Sequence, residues 1–164
     1  KFKDAYFNRF NNIWHHGDFA EIKKTNGLII HGRSDTTLNP GGVRLGTAEI
    51  YSEVERFKEV KESIVVGQSW DNDVRIILFI VMNTKFYLTE DLLKKIKFQI
   101  KKNASPRHVP SKIIEVKDIP RTKSGKIVEL AVKNILDGNN IKNKEALANP
   151  EALKQFKNLK ELSN

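Results

Sequence analysis

The longest uninterrupted apolar run in the chain, Ile76 to Met82, is seven residues long. A membrane span needs about 20 apolar residues, so this run cannot cross a bilayer; it suits a strand buried on both faces. A second apolar stretch, Ser63 to Val66, lies upstream, and Asp71-Asn72-Asp73 separates the two. Such turn residues between apolar runs predict a pair of buried strands, Ser63–Val66 and Val74–Met82. The rest of the chain has to supply what covers them.

The flanking segments carry helical periodicity. Thr47 is placed to cap a helix reaching about Phe57, with Ile50, Val54 and Phe57 on one stripe. Thr89 caps a second, whose apolar face is Leu92, Leu93, Ile96 and Ile100, and Pro106 ends it. Lys112 to Val116 reads as a third core strand. A loop from Ile119 to Gly125 leads to a third helix with Val128, Ala131, Val132 and Ile135 on one side. Beyond Asp137-Gly138-Asn139-Asn140 the chain turns polar, and Leu153, Phe156 and Leu159 predict a short terminal helix docked on the surface. Upstream, Phe19–Lys23 and Leu28–His31 form a hairpin about Lys24-Thr25-Asn26-Gly27, because Asn-Gly favours tight hairpin turns. The expected fold is α+β: a small central sheet of about three strands covered by helices, preceded by a β-hairpin. Residues 1 to 34 have too few apolar side chains for a core of their own. The chain opens at Lys1, and Lys1 to Asn12 has no apolar signal core, so the sequence reads as a piece of a longer protein.

Charge is unevenly spread. Lys94 to Lys133 holds 12 basic and three acidic residues, leaving 17 of each elsewhere, so the whole +9 excess lies in that stretch. It favours a polyanionic partner. A solvated lysine-rich face is the plain alternative, a nucleic-acid-binding module would explain the charge but not the ordered motifs, and with only seven arginines the excess argues weakly for specific phosphate recognition. The absence of cysteine excludes a disulfide scaffold, a thiolate zinc site and a thiol nucleophile.

Three motifs could carry chemistry. In Pro120-Arg121-Thr122-Lys123-Ser124-Gly125-Lys126, glycine permits a tight turn and lysine can reach a neighbouring phosphate and carboxylate together. The spacing is not that of a P-loop, and an ordinary basic loop is the plain alternative. Gly32-Arg33-Ser34-Asp35, followed by Leu38 to Gly46, offers two arginine forks and close backbone approach, or else a glycine-rich linker. Trp14-His15-His16-Gly17-Asp18 invites a metal reading, but adjacent histidines rarely converge on one ion, and a turn with a hydrogen-bonded carboxylate fits better.

In this order and spacing the motifs resemble the C-terminal end of the acyl-adenylate-forming superfamily of acyl-CoA synthetases, adenylation domains and luciferases, over residues 14 to about 136. Gly42-x-Arg44-Leu45-Gly46-Thr47-Ala48-Glu49-Ile50 is similar to the branch making acetyl-CoA and acetoacetyl-CoA. Trp14–Asp18, Pro40–Arg44, Pro106-Arg107-His108-Val109-Pro110 and Leu147–Leu153 look like its acetoacetate-activating members. The resemblance implies a ligase using ATP, CoA and Mg2+ in two half-reactions, with acetoacetate or another short acid, such as acetate or propionate, as substrate. It implies residues 1–34 as the end of a large N-terminal domain, 35–138 as a mobile C-terminal domain and 139–164 as a polar extension. Lys126 would be catalytic in adenylation; Asp18, Arg33 and Arg44 would bind ATP or AMP; Asp35 would be the hinge; Gly42 and Lys101 would face CoA, Lys101 by spacing alone. CoA would then account for the basic stretch. The partner domain would be the enzyme's own N-terminal part, with neither nucleic acid nor membrane, in the cytoplasm. A lysine acetyltransferase and deacetylase acting on Lys126 are further expected partners. Two departures stand out: His16 replaces the usual threonine of an aromatic-x-Thr-Gly-Asp motif, and Phe57, where related enzymes can bind magnesium, has no ligating side chain. No metal is therefore expected in this chain, and on its own it is expected to catalyse neither half-reaction.

Overall fold

The computed structural model describes residues 2–141 and 144–163. After a short helix α1 (Phe2–Tyr6), strands β1 (Asp18–Ile22) and β2 (Leu28–Arg33) form an antiparallel hairpin. There follow α2 (Thr47–Val54), β3 (Val60–Trp70), β4 (Asp73–Met82), α3 (Glu90–Asn103), β5 (Lys112–Glu115) and α4 (Glu129–Leu136), then 3-10 turns at Lys144–Ala146, Pro150–Phe156 and Lys160–Leu162.

The main sheet has the order β3-β4-β5, antiparallel on one side and parallel on the other. Trp70 pairs with Asp73 across a two-residue turn, and Asp71 and Asn72 both take left-handed φ, 48° and 58°. A tight hairpin needs that geometry, and aspartate and asparagine tolerate it. The parallel step from β4 to β5 requires a crossover, which α3 supplies.

Alternation along β4 explains its unbroken apolar run. Ile76, Leu78 and Ile80 face one layer with Leu38, Ile50, Val54, Ile96 and Ile100. Ile77, Phe79 and Val81 face the other with Ile64, Ile114, Val132, Phe156 and Leu162. Both faces of the central strand are covered, so no polar position survives there. Phe79 meets Phe156 edge-on, ring centroids 4.8 Å apart, so the C-terminal residues complete the second face.

Local predictions differ from the structure at four places. β3 extends well beyond Ser63–Val66 at both ends, because polar residues suit an edge strand that pairs on one side only. Thr47 is the first helical residue, not the cap; Gly46 is the cap and makes no side-chain bond. Thr47 is instead buried under β2, where a Cβ on Gly32 would lie 2.9 Å from its hydroxyl. Its helix ends at Val54, with Phe57 packed just beyond it. The terminal helix is a pair of 3-10 turns, the first opening on Pro150. By contrast, Thr89 caps α3 as expected, accepting from the Leu92 N–H at 3.3 Å. No helix among the described residues is long and apolar enough to cross a membrane.

Candidate functional site: an arginine–aspartate cluster and a lysine loop

Arg33, at the end of β2, sits between three partners. Its guanidinium forks onto Asp35, Nε to Oδ1 at 3.3 Å and Nη2 to Oδ2 at 3.2 Å. Nη1 donates to the His16 carbonyl at 2.9 Å and lies 3.8 Å from Asp18 Oδ1. The hydrogen bonds to Asp35 raise the Arg33 pKa above its ordinary value. Gly17, at φ +90°, is needed here because a Cβ would come within 2.8 Å of that guanidinium. His16 turns toward Asp18, Nδ1 to Oδ2 at 2.5 Å, while His15 faces Arg9 and Phe10. The two histidines diverge, and among the described residues no group of three or more His, Asp or Glu is placed to hold a metal.

The next loop closes on reciprocal bonds between Leu38 and Leu45 of 3.0 and 2.8 Å. Gly41 and Gly42 take φ of 58° and 74°, and a Cβ on Gly42 would meet nothing within 4 Å. The Gly41 N–H donates to both Asp73 carboxylate oxygens, fastening the loop to the β3–β4 turn. Arg44 stacks over Phe19 of β1, 5.0 Å from the ring centroid.

The lysine loop is a tight turn on a two-residue stem. Thr122 donates its N–H to the Lys126 carbonyl at 2.9 Å and accepts from the Lys126 N–H through its hydroxyl at 3.1 Å. Gly125, at φ +82°, lets the chain reverse between them. Arg121 braces the turn from beneath, donating to the Gly125 carbonyl at 2.9 Å and pairing with Glu62 of β3 at 2.9 Å. Lys126 is exposed, and its ammonium has no partner among the described residues. Lys101, in the last turn of α3, is also exposed, and its ammonium has no partner among the described residues.

The structure thus brings Asp18, Arg33 and Asp35 into one cluster, with Arg44 beside the same hairpin. No side-chain contact links Lys126 or Lys101 to them among the described residues. Sequence reasoning missed Glu49 as an individual residue. Its carboxylate bonds buried His108 and lies 3.7 Å from His31, whose other nitrogen meets Glu21 at 3.2 Å. It also missed Arg121 and Glu62 as braces. These partners lie 59 residues apart in both cases, and no local pattern marks such pairs.

Residues 49–126 match the family model of the AMP-binding enzyme C-terminal domain. Along its whole length it is homologous to acetoacetyl-CoA synthetases: it is 60% identical over 164 residues to that of Rhizobium meliloti (strain 1021) and 48% identical over 166 residues to that of Xenopus tropicalis. In each case all of this chain but 25% of the relative is covered, so the chain spans about a quarter of the length of the curated relatives it matches. The solved acetoacetyl-CoA synthetase from Streptomyces lividans superposes with a TM-score of 0.85 at 38% identity, over 94% of this chain and 24% of that one.

Proposed function

We propose that this chain is the C-terminal part of an ATP-dependent acyl-CoA synthetase that activates acetoacetate. The observation that carries the reading is the placement of Lys126: exposed, without a partner among the described residues, on a pinned stem, and the last residue of the matched domain. In the first half-reaction an acetoacetate oxygen bonds to the α-phosphorus of ATP while the bridging bond to the β-phosphate breaks. Acyl-adenylate and pyrophosphate result. Carboxylate and triphosphate are both anions, so a preorganised ammonium at the reacting phosphate offsets charge in the transition state, an effect worth roughly 10² to 10³ in rate. In the second, the CoA sulfur attacks the acyl carbon, the thiol proton leaves and AMP departs.

The two steps need different faces of one domain, and the hinge at Asp35 supplies the change. Arg33 is about half exposed and screened, so its pairing with Asp35 is worth no more than about 1 kcal/mol and yields to rotation. The domain boundaries follow: 1–34 belongs to the large domain, 35–138 turns, and 139–164 travels with it. Asp18 accepts from the ribose hydroxyls, Arg33 and Arg44 meet ribose or phosphate, open Gly42 leaves room for the pantetheine arm, and Lys101 meets a CoA phosphate. Mg2+ arrives with ATP. ATP and CoA as substrates suit a cytoplasmic setting. Acetylation of Lys126 would remove its charge and switch adenylation off. The isolated chain, lacking the acyl pocket, turns over neither half-reaction.

The test is pyrophosphate exchange into ATP by the full-length enzyme with acetoacetate, acetate and propionate in parallel. Exchange driven chiefly by acetoacetate is expected. Exchange with acetate or propionate alone would keep the mechanism and overturn the substrate.

A further inference from the structure

The segment leading into the lysine loop is bonded along its length to residues outside the matched domain. The Lys117 N–H donates to Gln155 Oε1 at 2.6 Å, and Gln155 Nε2 donates to the Asp118 carbonyl at 3.1 Å. Asn149 donates through Nδ2 to Asp118 Oδ2 at 2.6 Å and to the Ile119 carbonyl at 2.9 Å, and its Oδ1 accepts from the Arg121 N–H at 2.8 Å. The Ala148 N–H donates to the Arg121 carbonyl at 2.8 Å, Thr122 bridges Leu147, and the Lys123 N–H donates to the Ala146 carbonyl at 3.1 Å. Buried Leu147, Leu153 and Phe156 root these residues in the core.

We infer that residues 146–155 are a strap that aims the Lys126 loop for adenylation, with Asn149 its central positioning residue; this rests on the assignment of Lys126 to that step. The loop tip, Lys123 to Lys126, is exposed and cannot fix its own direction. Its stem can, and one edge of that stem is the strap. An ammonium stabilises developing charge only where it is held beforehand, and a displacement of about 1 Å can cost roughly 100-fold in rate. Asn149 satisfies three polar groups spread over four residues of the approach, so its amide fixes both the height and the slope at which Arg121 enters the turn. Asn149 does not touch substrate; it acts through the loop.

The experiment uses the full-length enzyme with Asn149→Ala, Lys126→Ala and the swap Asp118→Asn/Asn149→Asp. Two rates are read for each: pyrophosphate exchange, and thioester formation from supplied acetoacetyl-adenylate. Asn149→Ala is expected to slow exchange by roughly 10- to 100-fold with KM for ATP little changed and thioester formation nearly intact. The swap, which rebuilds an amide–carboxylate bond with donor and acceptor exchanged, is expected to recover part of the loss. Unchanged exchange in Asn149→Ala, with exchange abolished in Lys126→Ala, overturns the strap and leaves the lysine. A parallel fall of both half-reactions in Asn149→Ala means a merely structural role and also overturns it. Unchanged exchange in Lys126→Ala defeats the underlying assignment, and the strap with it.

Discussion

The loop at Asp35 and the lysine loop lie in one chain but are held by different mixtures of contacts. Around Asp35 ion pairs and a cation–π contact join part-buried and exposed side chains, Arg33 with Asp35 and Asp18 and Arg44 over Phe19, beside one backbone bond from the Ser34 N–H to the Gly17 carbonyl. Around Lys126 the contacts are backbone bonds, in register, to the loop's own stem and to residues 146–148. Solvent-exposed ion pairs exchange readily with water and salt, whereas paired backbone groups are costly to strip. A junction that has to turn and a loop that has to stay aimed would be built in these two ways.

Four changes break or sharpen the contrast, from the largest expected effect to the smallest. Phe156→Ala removes the ring packed on Phe79 and should destabilise the chain by about 3–5 kcal/mol, read by denaturant unfolding. A loss under about 1 kcal/mol would detach the strap from the core. Gly125→Ala forces an L-residue to φ +82°, at a cost of about 1–2 kcal/mol. Adenylation should suffer more than thioester formation. Asp35→Asn should alter stability by no more than about 1 kcal/mol while shifting the ratio of the two half-reactions, since the fork it removes is exposed. A large stability loss would make the junction rigid and contradict the hinge.

The smallest effect concerns Tyr51 of α2, which links that helix to α4 and β3. Its hydroxyl donates to Glu129 at 2.5 Å and accepts from the Val65 N–H at 3.0 Å. Burial, and then the neighbouring Glu129 carboxylate, raise its pKa well above the ordinary value. The folded state therefore resists an ionisation that the unfolded chain undergoes near pH 10. Stability from this source is complete below about pH 10 and is lost as pH rises toward the folded value. Tyr51→Phe should flatten that alkaline fall in a pH series of unfolding curves; an identical slope in both proteins would refute the coupling.

The legible parts of this molecule are those set by neighbours in sequence. Asp71-Asn72 announces its turn, Thr89 its cap and Ile76–Met82 its double burial, each through a few adjacent residues. Gly125 and Lys126 stood out for the same reason. What stayed hidden depends on distant partners. Thr47 looks like a cap, but packing beneath Gly32 draws it into the helix. Glu49 reads as one letter of a motif, and only the fold sets it between His108 and His31. Asn149 reads as one letter of the Leu147–Leu153 motif, and its reach to Arg121 across 28 residues exists only once the chain is folded.

The most direct test of the account is Lys126→Ala in the full-length enzyme, with the two half-reactions measured separately. The prediction is a fall in acetoacetate-dependent pyrophosphate exchange of roughly 10² to 10³, with thioester formation from supplied adenylate unchanged. Exchange at the wild-type rate would contradict the central claim, that this domain delivers a pre-aimed ammonium to the first step and withdraws it for the second.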